Sequence, residues 1–212
     1  MSSQSIKAFW EAFKEGHDGL LHPADAEVMS GLLETLRRVD KRFYYHVGEH
    51  DDGADLILSA EGHCDALPLL QRVRDRAPAI SGWEVLAVFD GDLAIGRRNV
   101  MVFPQDEDGD VLFRMARSGD NLCIERTINF SVVFPTASDR REFLASIVEE
   151  GLEGGSEPKR RPICERPWDV TVTQVMLPSH ENITNFEKRL EFLAIAHGGR
   201  NDGWGCFEQL ER

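Results

Sequence analysis

The sequence lacks any run of eighteen consecutive apolar residues, and no apolar stretch follows the first lysine of its N-terminal segment, Met-Ser-Ser-Gln-Ser-Ile-Lys. Membrane-spanning helices and secretory signals both require such stretches, so the sequence predicts neither. We therefore expect a cytoplasmic protein with no membrane partner. Its 212 residues, 42% of them hydrophobic, can bury the core of one large or two small domains.

Positive charge is scarce in this chain. It has 24 Lys and Arg against 37 Asp and Glu, which gives a formal net charge of −13. Residues 1–124 contribute −9 of this charge and residues 125–212 contribute −4. Because contacts to phosphates need a basic surface, this balance argues against direct nucleic-acid binding. An acidic surface instead favours solubility or attraction to a basic protein.

Closely spaced cysteines are also missing. No C-x-x-C pair occurs among the four cysteines, which are Cys64, Cys123, Cys164 and Cys206. In a chain without an export signal, the simplest interpretation is four reduced thiols that fill small spaces. We therefore predict neither a disulfide framework nor a structural zinc site.

One acidic stretch begins like a calcium-binding loop, with Asp106, Asp108 and Asp110 at alternate positions. The sixth position of such a loop needs Gly and the twelfth needs Glu, but here they are Val111 and Arg117. No phosphate-binding glycine loop precedes a helix either. The sequence therefore predicts no metal and no other cofactor.

The first 120 residues predict an α+β lobe of no recognised family. An aromatic stripe at helical spacing predicts that its first helix packs into a core through Ile6, Phe9, Trp10 and Phe13. The predicted helices lie at about 7–15, 24–39 and 65–76, and the predicted strands at 43–47, 56–59 and 83–89. Two further short strands are predicted between residues 100 and 115, joined by an Asp108–Gly109 hairpin turn.

Basic side chains gather at the end of the second predicted helix. They are Arg37, Arg38, Lys41 and Arg42. Positive charge at a helix C-terminus complements the helix dipole, so this cluster needs no ligand to explain it.

Residues 121–212 predict a second domain with the element order of a ferredoxin-like sandwich, in which two helices cover one face of a four-stranded antiparallel sheet. Thr136 is the predicted N-cap of the first helix and Ser179 that of the second. The predicted strands lie at about 124–134, 163–165, 168–176 and after residue 203, and the helices at about 136–150 and 180–197. The fold class of the whole chain is thus α+β.

The stretch after the last helix reads His-Gly-Gly-Arg-Asn-Asp-Gly-Trp over residues 197–204. Gly198 and Gly199 suit the left-handed conformation that ends a helix. Asn201, Asp202 and Gly203 tolerate turn dihedrals, so we predict a turn that delivers the following tryptophan at a fixed place.

Several features of this half of the chain occur together. They are a tryptophan-led strand (Trp168), a Met-x-Pro (Met176, Pro178), an Ile and a Glu four residues apart (Ile183, Glu187), a later Leu190 and Ala194, and the Gly-Gly-x-x-Asp-Gly-Trp ending. Over residues 125 to 210 this set resembles the RraB family, whose name stands for regulator of ribonuclease activity B. The resemblance implies a ferredoxin-like fold and a non-enzymatic regulator that binds a protein partner, a ribonuclease of the RNase E type.

The candidate partner-binding residues lie in the same stretch and are Trp204, Asp202, Arg200, His197 and Trp168. Tryptophan is a preferred interface anchor, although Trp204 alternatively fills the core beside Trp168. His197 can approach Asp202 as a general base, but a helix-end role for His197 and turn hydrogen bonds for Asp202 explain both residues more simply. A homodimer through an exposed sheet edge is left open.

No catalytic set stands out, and we predict that the chain is not an enzyme. His180-Glu181 lacks the H-E-x-x-H spacing of zinc proteases. The alternative is a small hydrolase or thiol enzyme that uses His63, Cys64 or His197 between the lobes. A module that binds a small ligand between the lobes is a further alternative.

Overall fold

The computed structural model describes residues 3–155 and 165–210. The chain divides into two compact units, Met1–Val102 and Phe103–Arg212. Helices and two sheets confirm the α+β class. The predicted domain boundary at 120/121 differs from this division, because the structure groups residues 103–120 with the C-terminal unit. Within the described residues, no helix has the length and apolar content that crossing a membrane requires.

The first unit combines helices with a three-stranded sheet. Its helices are α1 (Ser3–Gly16), α2 (Ala26–Arg37), α3 (Leu67–Arg74) and the short α4 (Gly91–Ala94), with a 3-10 turn at His17–Leu20. Its strands are β1 (Tyr44–His50), β2 (Gly53–Ser59) and β3 (Trp83–Val88). The β1 and β2 strands form an antiparallel pair, whereas β3 lies parallel to β2. A parallel pair needs a crossover connection, which α3 provides.

The predicted aromatic stripe of α1 forms part of the core of this unit. Ile6, Phe9, Trp10 and Phe13 are all buried. The Trp10 indole N–H donates to the backbone carbonyl of Val73 at 3.0 Å, so the polar edge of the ring is also satisfied. The prediction that these residues belong to the core is confirmed.

The region of residues 100–115 corrects the sequence analysis. The two predicted strands and their hairpin turn are wrong, because residues Glu107–Arg117 form a helix, α5. Asp106 is its N-cap and accepts a hydrogen bond from the backbone N–H of Gly109 at 2.8 Å. The acidic residues that suggested a solvated turn instead lie in the first helical turn, where negative charge stabilises the helix.

The second unit has the predicted ferredoxin-like topology. After α5 its elements are β4 (Arg126–Phe134), α6 (Ala137–Glu149), β5 (Glu153–Gly154), β6 (Trp168–Met176), α7 (His180–Ile195) and β7 (Arg200–Cys206). The strand order is β5-β6-β4-β7, and each neighbouring pair is antiparallel. Thr136 and Ser179 cap α6 and α7 as predicted.

Alternate residues of β4 join the sheet to the helix layer. The Phe130 ring lies 4.6 Å from that of Phe186 on α7, and the Phe134 ring lies 4.9 Å from that of Phe143 on α6, measured between centroids. Phe130, Phe134 and Phe143 have no exposed surface. The helix layer is thus anchored on β4, one of the two inner strands, and a strand was predicted there at 124–134.

The edge of the sheet is formed by β5, which pairs with β6. The edge strand predicted at 163–165 lies outside the described residues, apart from Glu165. Glu153 and Gly154 lie outside the predicted strands, because two residues are too few to show a periodic pattern.

The predicted turn at 201–203 is instead part of β7. The pairing of β4 with β7 shifts between Phe130 and Val132, where two residues of β7 occupy the place of one. This β-bulge contains Gly203, whose φ of +95° favours glycine. The residue preferences of a turn and of a bulge overlap, so the local sequence could not distinguish them. The predicted fixed position of Trp204 nevertheless results from this bulge.

The expectation of reduced cysteines is wrong at two positions. Cys64 and Cys123 are each disulfide-bonded, whereas Cys206 is a free thiol. Cys164 lies outside the described residues. The spacing of cysteines along the chain carries no information on their distance in the folded protein, which is why the bonds were not predicted.

Candidate functional site

Trp204 is fixed between the sheet and α5. It lies opposite Phe130 in the β4–β7 pairing, and directly opposed residues point to the same face of a sheet. The half-buried ring therefore lies on the helix-covered face. Its indole N–H donates to Asp108 Oδ1 at 2.7 Å, joining the end of the chain to the first turn of α5.

A cluster of acidic side chains surrounds this contact, formed by Asp108 of α5 and by Glu187 and Glu191 of α7. Asn201 of β7 holds the two α7 glutamates. Its side-chain amide donates to Glu187 Oε1 at 2.7 Å, and its backbone N–H donates to Glu191 Oε2 at 2.7 Å. Together with Trp204, these residues form what we call the β7 cluster.

Glu187 is the titratable group that this arrangement perturbs. Burial, together with the neighbouring Asp108 and Glu107 carboxylates, raises the pKa of Glu187 to about 7, against the lowering effect of the Asn201 amide. A hydrogen bond between the Glu187 and Asp108 carboxyl groups contributes in the same direction. Such a bond requires a proton between the two groups, so the fold favours the protonated form of Glu187.

A second contact attaches α5 to α7. Asp106 caps α5 through Oδ1, while its Oδ2 lies 2.8 Å from Nε2 of His180, the first residue of α7. The Asp106 side chain is half exposed, and that of His180 is mostly buried. The N-terminal ends of both helices are therefore joined by one carboxylate, which supports the position of Asp108 beside Trp204.

The other predicted residues occupy different places. Trp168 pairs with Phe134, four residues along β4 from the partner of Trp204, so the two tryptophans are not side by side. The half-buried His197 ring has its Nδ1 3.8 Å from Glu142 Oε2 on α6. Arg200 lies 3.7 Å from Asp202, and both are exposed.

The sequence analysis overlooked Asp108 and the environment of Glu187. Asp108 was assigned to a turn, and Glu187 was noted only for its spacing from Ile183. One local signal was available, because Asp106 followed by Glu107 and Asp108 is a typical helix start with acidic residues in the first turn. No local signal connects residue 108 to residue 204, because that contact depends on tertiary structure.

Metal and thiol chemistry have little support at these positions. Among residues 3–155 and 165–210, no group of three or more His, Cys, Asp or Glu side chains is arranged to hold a metal ion. The hypothesis of a Cys64 thiol enzyme fails because Cys64 is disulfide-bonded and has no thiolate to offer.

The β7 cluster and the sheet beneath it lie within a segment of the chain that matches a known protein family. Residues 105–206 match RraB, regulator of ribonuclease activity B. The resemblance predicted for the C-terminal half is therefore confirmed. The RraB match begins before α5, earlier than the predicted start at residue 125, and it includes both Asp108 and Trp204. No curated protein sequence matches the chain.

The family that this segment matches is described as a regulator of ribonuclease activity. The match also places the contact between Trp204 and Asp108 near the two ends of the matched segment. The contact therefore closes the RraB-like fold, because it joins the element that begins the match to the strand that ends it.

The raised pKa of Glu187 predicts a dependence of stability on pH. A carboxyl group whose pKa is raised in the folded state favours folding below its unfolded pKa of 4.5, and this contribution is lost as pH rises through about 7. We expect Glu187→Gln, which has no such titration, to be more stable than the parent at pH 8 by about 1–2 kcal/mol after solvent screening. Urea unfolding between pH 5 and pH 8 measures this difference.

The control is Glu181→Gln, which alters an exposed glutamate of the same helix. We expect that variant to differ from the parent by a constant few tenths of a kcal/mol across the range. A constant difference for Glu187→Gln as well would contradict the assignment of this titration to Glu187.

Proposed function

We propose that this chain is a non-catalytic regulator that acts in the cytoplasm by binding a protein partner, and that the partner is a ribonuclease of the RNase E type. The observation that carries this proposal is the RraB match over residues 105–206, which spans all elements from α5 to β7. The net charge of −13 supports a protein partner in preference to RNA, because an acidic surface repels phosphates.

The exposed side of the helix layer is the docking surface that we propose for this partner. Phe192 and Ile195 lie three residues apart on α7 and are both exposed, Phe192 to 78%. Val148 of α6 is also exposed. Large apolar side chains on the surface lose unfavourable contact with water when a partner covers them, so they are suited to anchor an interface.

Two polar contacts link the α6 and α7 ends on either side of this apolar stretch. Arg189 contacts Glu150 at 3.1 Å, and His197 approaches Glu142 at 3.8 Å. Protein interfaces commonly combine an apolar centre with a polar rim, and this arrangement has both parts. Among the predicted residues, His197 and the nearby exposed Arg200 therefore belong to the proposed rim.

Trp204 and Trp168 have a different proposed role. A side chain that anchors a partner contributes by burying exposed surface and by offering free polar groups. Both tryptophan rings are already half-buried in the fold, and the Trp204 N–H is already bonded to Asp108. We therefore assign these two tryptophans to the stability of the fold. Asp202, beside Arg200 on the exposed part of β7, stays within the proposed rim.

The experiment mixes the purified chain with RNase E and measures both complex formation and cleavage of a short RNA. We expect saturable binding with slowed cleavage. Phe192→Ala should weaken binding at least tenfold, as loss of a hot-spot residue does, without changing the melting temperature. Phe207→Ala is the matched control, because Phe207 is 85% exposed in the segment after β7, outside the helix layer, and its removal should leave affinity unchanged.

Trp204→Phe separates the docking surface from the fold. It keeps most of the ring but removes the N–H that bonds Asp108, so we expect lower stability and unchanged affinity. No saturable binding of the parent at about 50 μM would overturn the proposed partner. Binding that is lost in Trp204→Phe but kept in Phe192→Ala would refute the proposed docking surface.

A further inference from the structure

The first unit contains a cavity of about 460 Å³ at the start of α1, the end of α2 and the length of α3. Three arginines line it, Arg38, Arg72 and Arg76. Arg72 and Arg76 lie four residues apart in and just after α3, and the packing of the helices brings Arg38 from the end of α2 beside them. We call this feature the arginine cavity.

Most of the positive charge in this cavity is not neutralised by the protein. Arg38 lies 3.6 Å from Glu34, and both side chains are largely exposed. Within residues 3–155 and 165–210, neither Arg72 nor Arg76 has a carboxylate within 4.0 Å. Arg74 on the same helix contrasts with them, because its guanidinium contacts Asp75 at 2.7 Å.

The concentration of arginine is unusual for this chain, whose net charge is −13. Elsewhere in the unit, Arg42 is held by Asp40 and Asp65 at 2.7 Å. A guanidinium group carries planar hydrogen-bond donors that match the oxygens of phosphate, and three such groups favour an anion with more than one negative charge.

The cavity also has an apolar wall and hydroxyl groups. Ile6 and Val39 are almost fully buried beneath it, and Leu69 is half-buried. Ser3 and Ser5 of α1 complete the lining. The volume is that of a site for a small organic molecule and is larger than an inorganic anion needs. The ligand therefore has an organic part that packs against the aliphatic side chains.

We propose that the arginine cavity binds a small organic phosphate, with its phosphate groups on Arg72, Arg76 and Arg38 and its organic part on the aliphatic wall. This proposal concerns the first unit and does not depend on ribonuclease regulation. It adds a small-molecule site to a chain whose matched family segment lies entirely in the second unit.

The test is calorimetric titration of the full chain in phosphate-free buffer with three probes: inorganic pyrophosphate, adenosine diphosphate and citrate. We expect both phosphate probes to bind saturably and adenosine diphosphate to bind more tightly than pyrophosphate, because only adenosine diphosphate of these two has an organic part. Arg72→Gln and Arg76→Gln should each weaken binding at least about tenfold, the effect of losing one charge-assisted contact.

Arg74→Gln is the matched control and should leave affinity unchanged, because Arg74 lies on the same helix but does not line the cavity. Circular dichroism of each variant verifies that the fold is retained. No saturable binding of either phosphate probe up to about 10 mM would overturn the proposal. Equal weakening by Arg74→Gln would also overturn it, because it would show non-specific attraction to positive charge. Binding of citrate alone would overturn it as well, because it would show a carboxylate site.

Discussion

We expect Arg126→Met to lower the free energy of unfolding by about 3–5 kcal/mol, because it removes one partner of a buried ion pair. The Arg126 and Asp120 side chains are only 4% and 0% exposed. Nη1 of Arg126 donates to both carboxylate oxygens of Asp120, at 2.7 and 2.9 Å. Without the guanidinium, Asp120 is left as a buried charge with no opposite charge beside it.

The same pair also organises the end of the chain. Arg126 donates to the backbone carbonyl oxygens of Asn121, Ile124 and Phe207, and Asp120 accepts from the backbone N–H of Gln209. The loop before β4 and the segment after β7 are thus held by one set of hydrogen bonds. We expect the loss of stability to be accompanied by faster proteolysis of the C-terminal residues.

Urea unfolding at neutral pH measures the effect, and two variants make the result specific. Arg200→Met removes an exposed arginine whose nearest described carboxylate is 3.7 Å away, and it should cost less than about 1 kcal/mol. Combining Arg126→Met with Asp120→Leu removes both buried charges and should recover much of the loss. A double variant as unstable as the sum of its two single variants would show that the charge pairing is not the source of the effect.

Several elements of the second unit were predictable, for a physical reason. The alternating apolar residues of β4 and the capping residues Thr136 and Ser179 are signals that neighbouring residues create by themselves. The strand β4 and the starts of α6 and α7 are observed close to the positions that were predicted from the sequence. The order of these elements then leaves few topologies open, and the ferredoxin-like arrangement is one of them.

The β7 cluster was not predictable in the same way. The residues that perturb Glu187 come from α5 and β7, which are distant in sequence, and the mistaken turn at Asp108 removed one of them from consideration. A side chain on the polar face of a helix is normally exposed to water, and no residue near Glu187 in the sequence indicates otherwise. Packing of α5 against α7 changes that environment. The two helices are too far apart in the sequence for a local pattern to show this contact.

We expect Gly199→Ala to cost about 2–3 kcal/mol in stability and Gly198→Ala about 1 kcal/mol, although the two glycines are adjacent. A Cβ at Gly199 would lie 2.3 Å from Cε1 of Phe134, a ring with no exposed surface. A Cβ at Gly198 would meet nothing closer than 3.7 Å, but its φ of +66° strains any other residue. One glycine is therefore required by packing and the other by backbone conformation.

Urea unfolding of both variants, and of each combined with Phe134→Leu, distinguishes these causes. Leucine lacks the ring edge that meets Gly199, so the Phe134→Leu background should reduce the cost of Gly199→Ala but leave that of Gly198→Ala unchanged. Equal costs in both backgrounds would exclude the Phe134 contact as the cause. The sequence predicted the helix-ending glycine from local conformation alone. The second glycine of the Gly-Gly pair depends on β4, 65 residues earlier, and so only the folded structure explains why it is there.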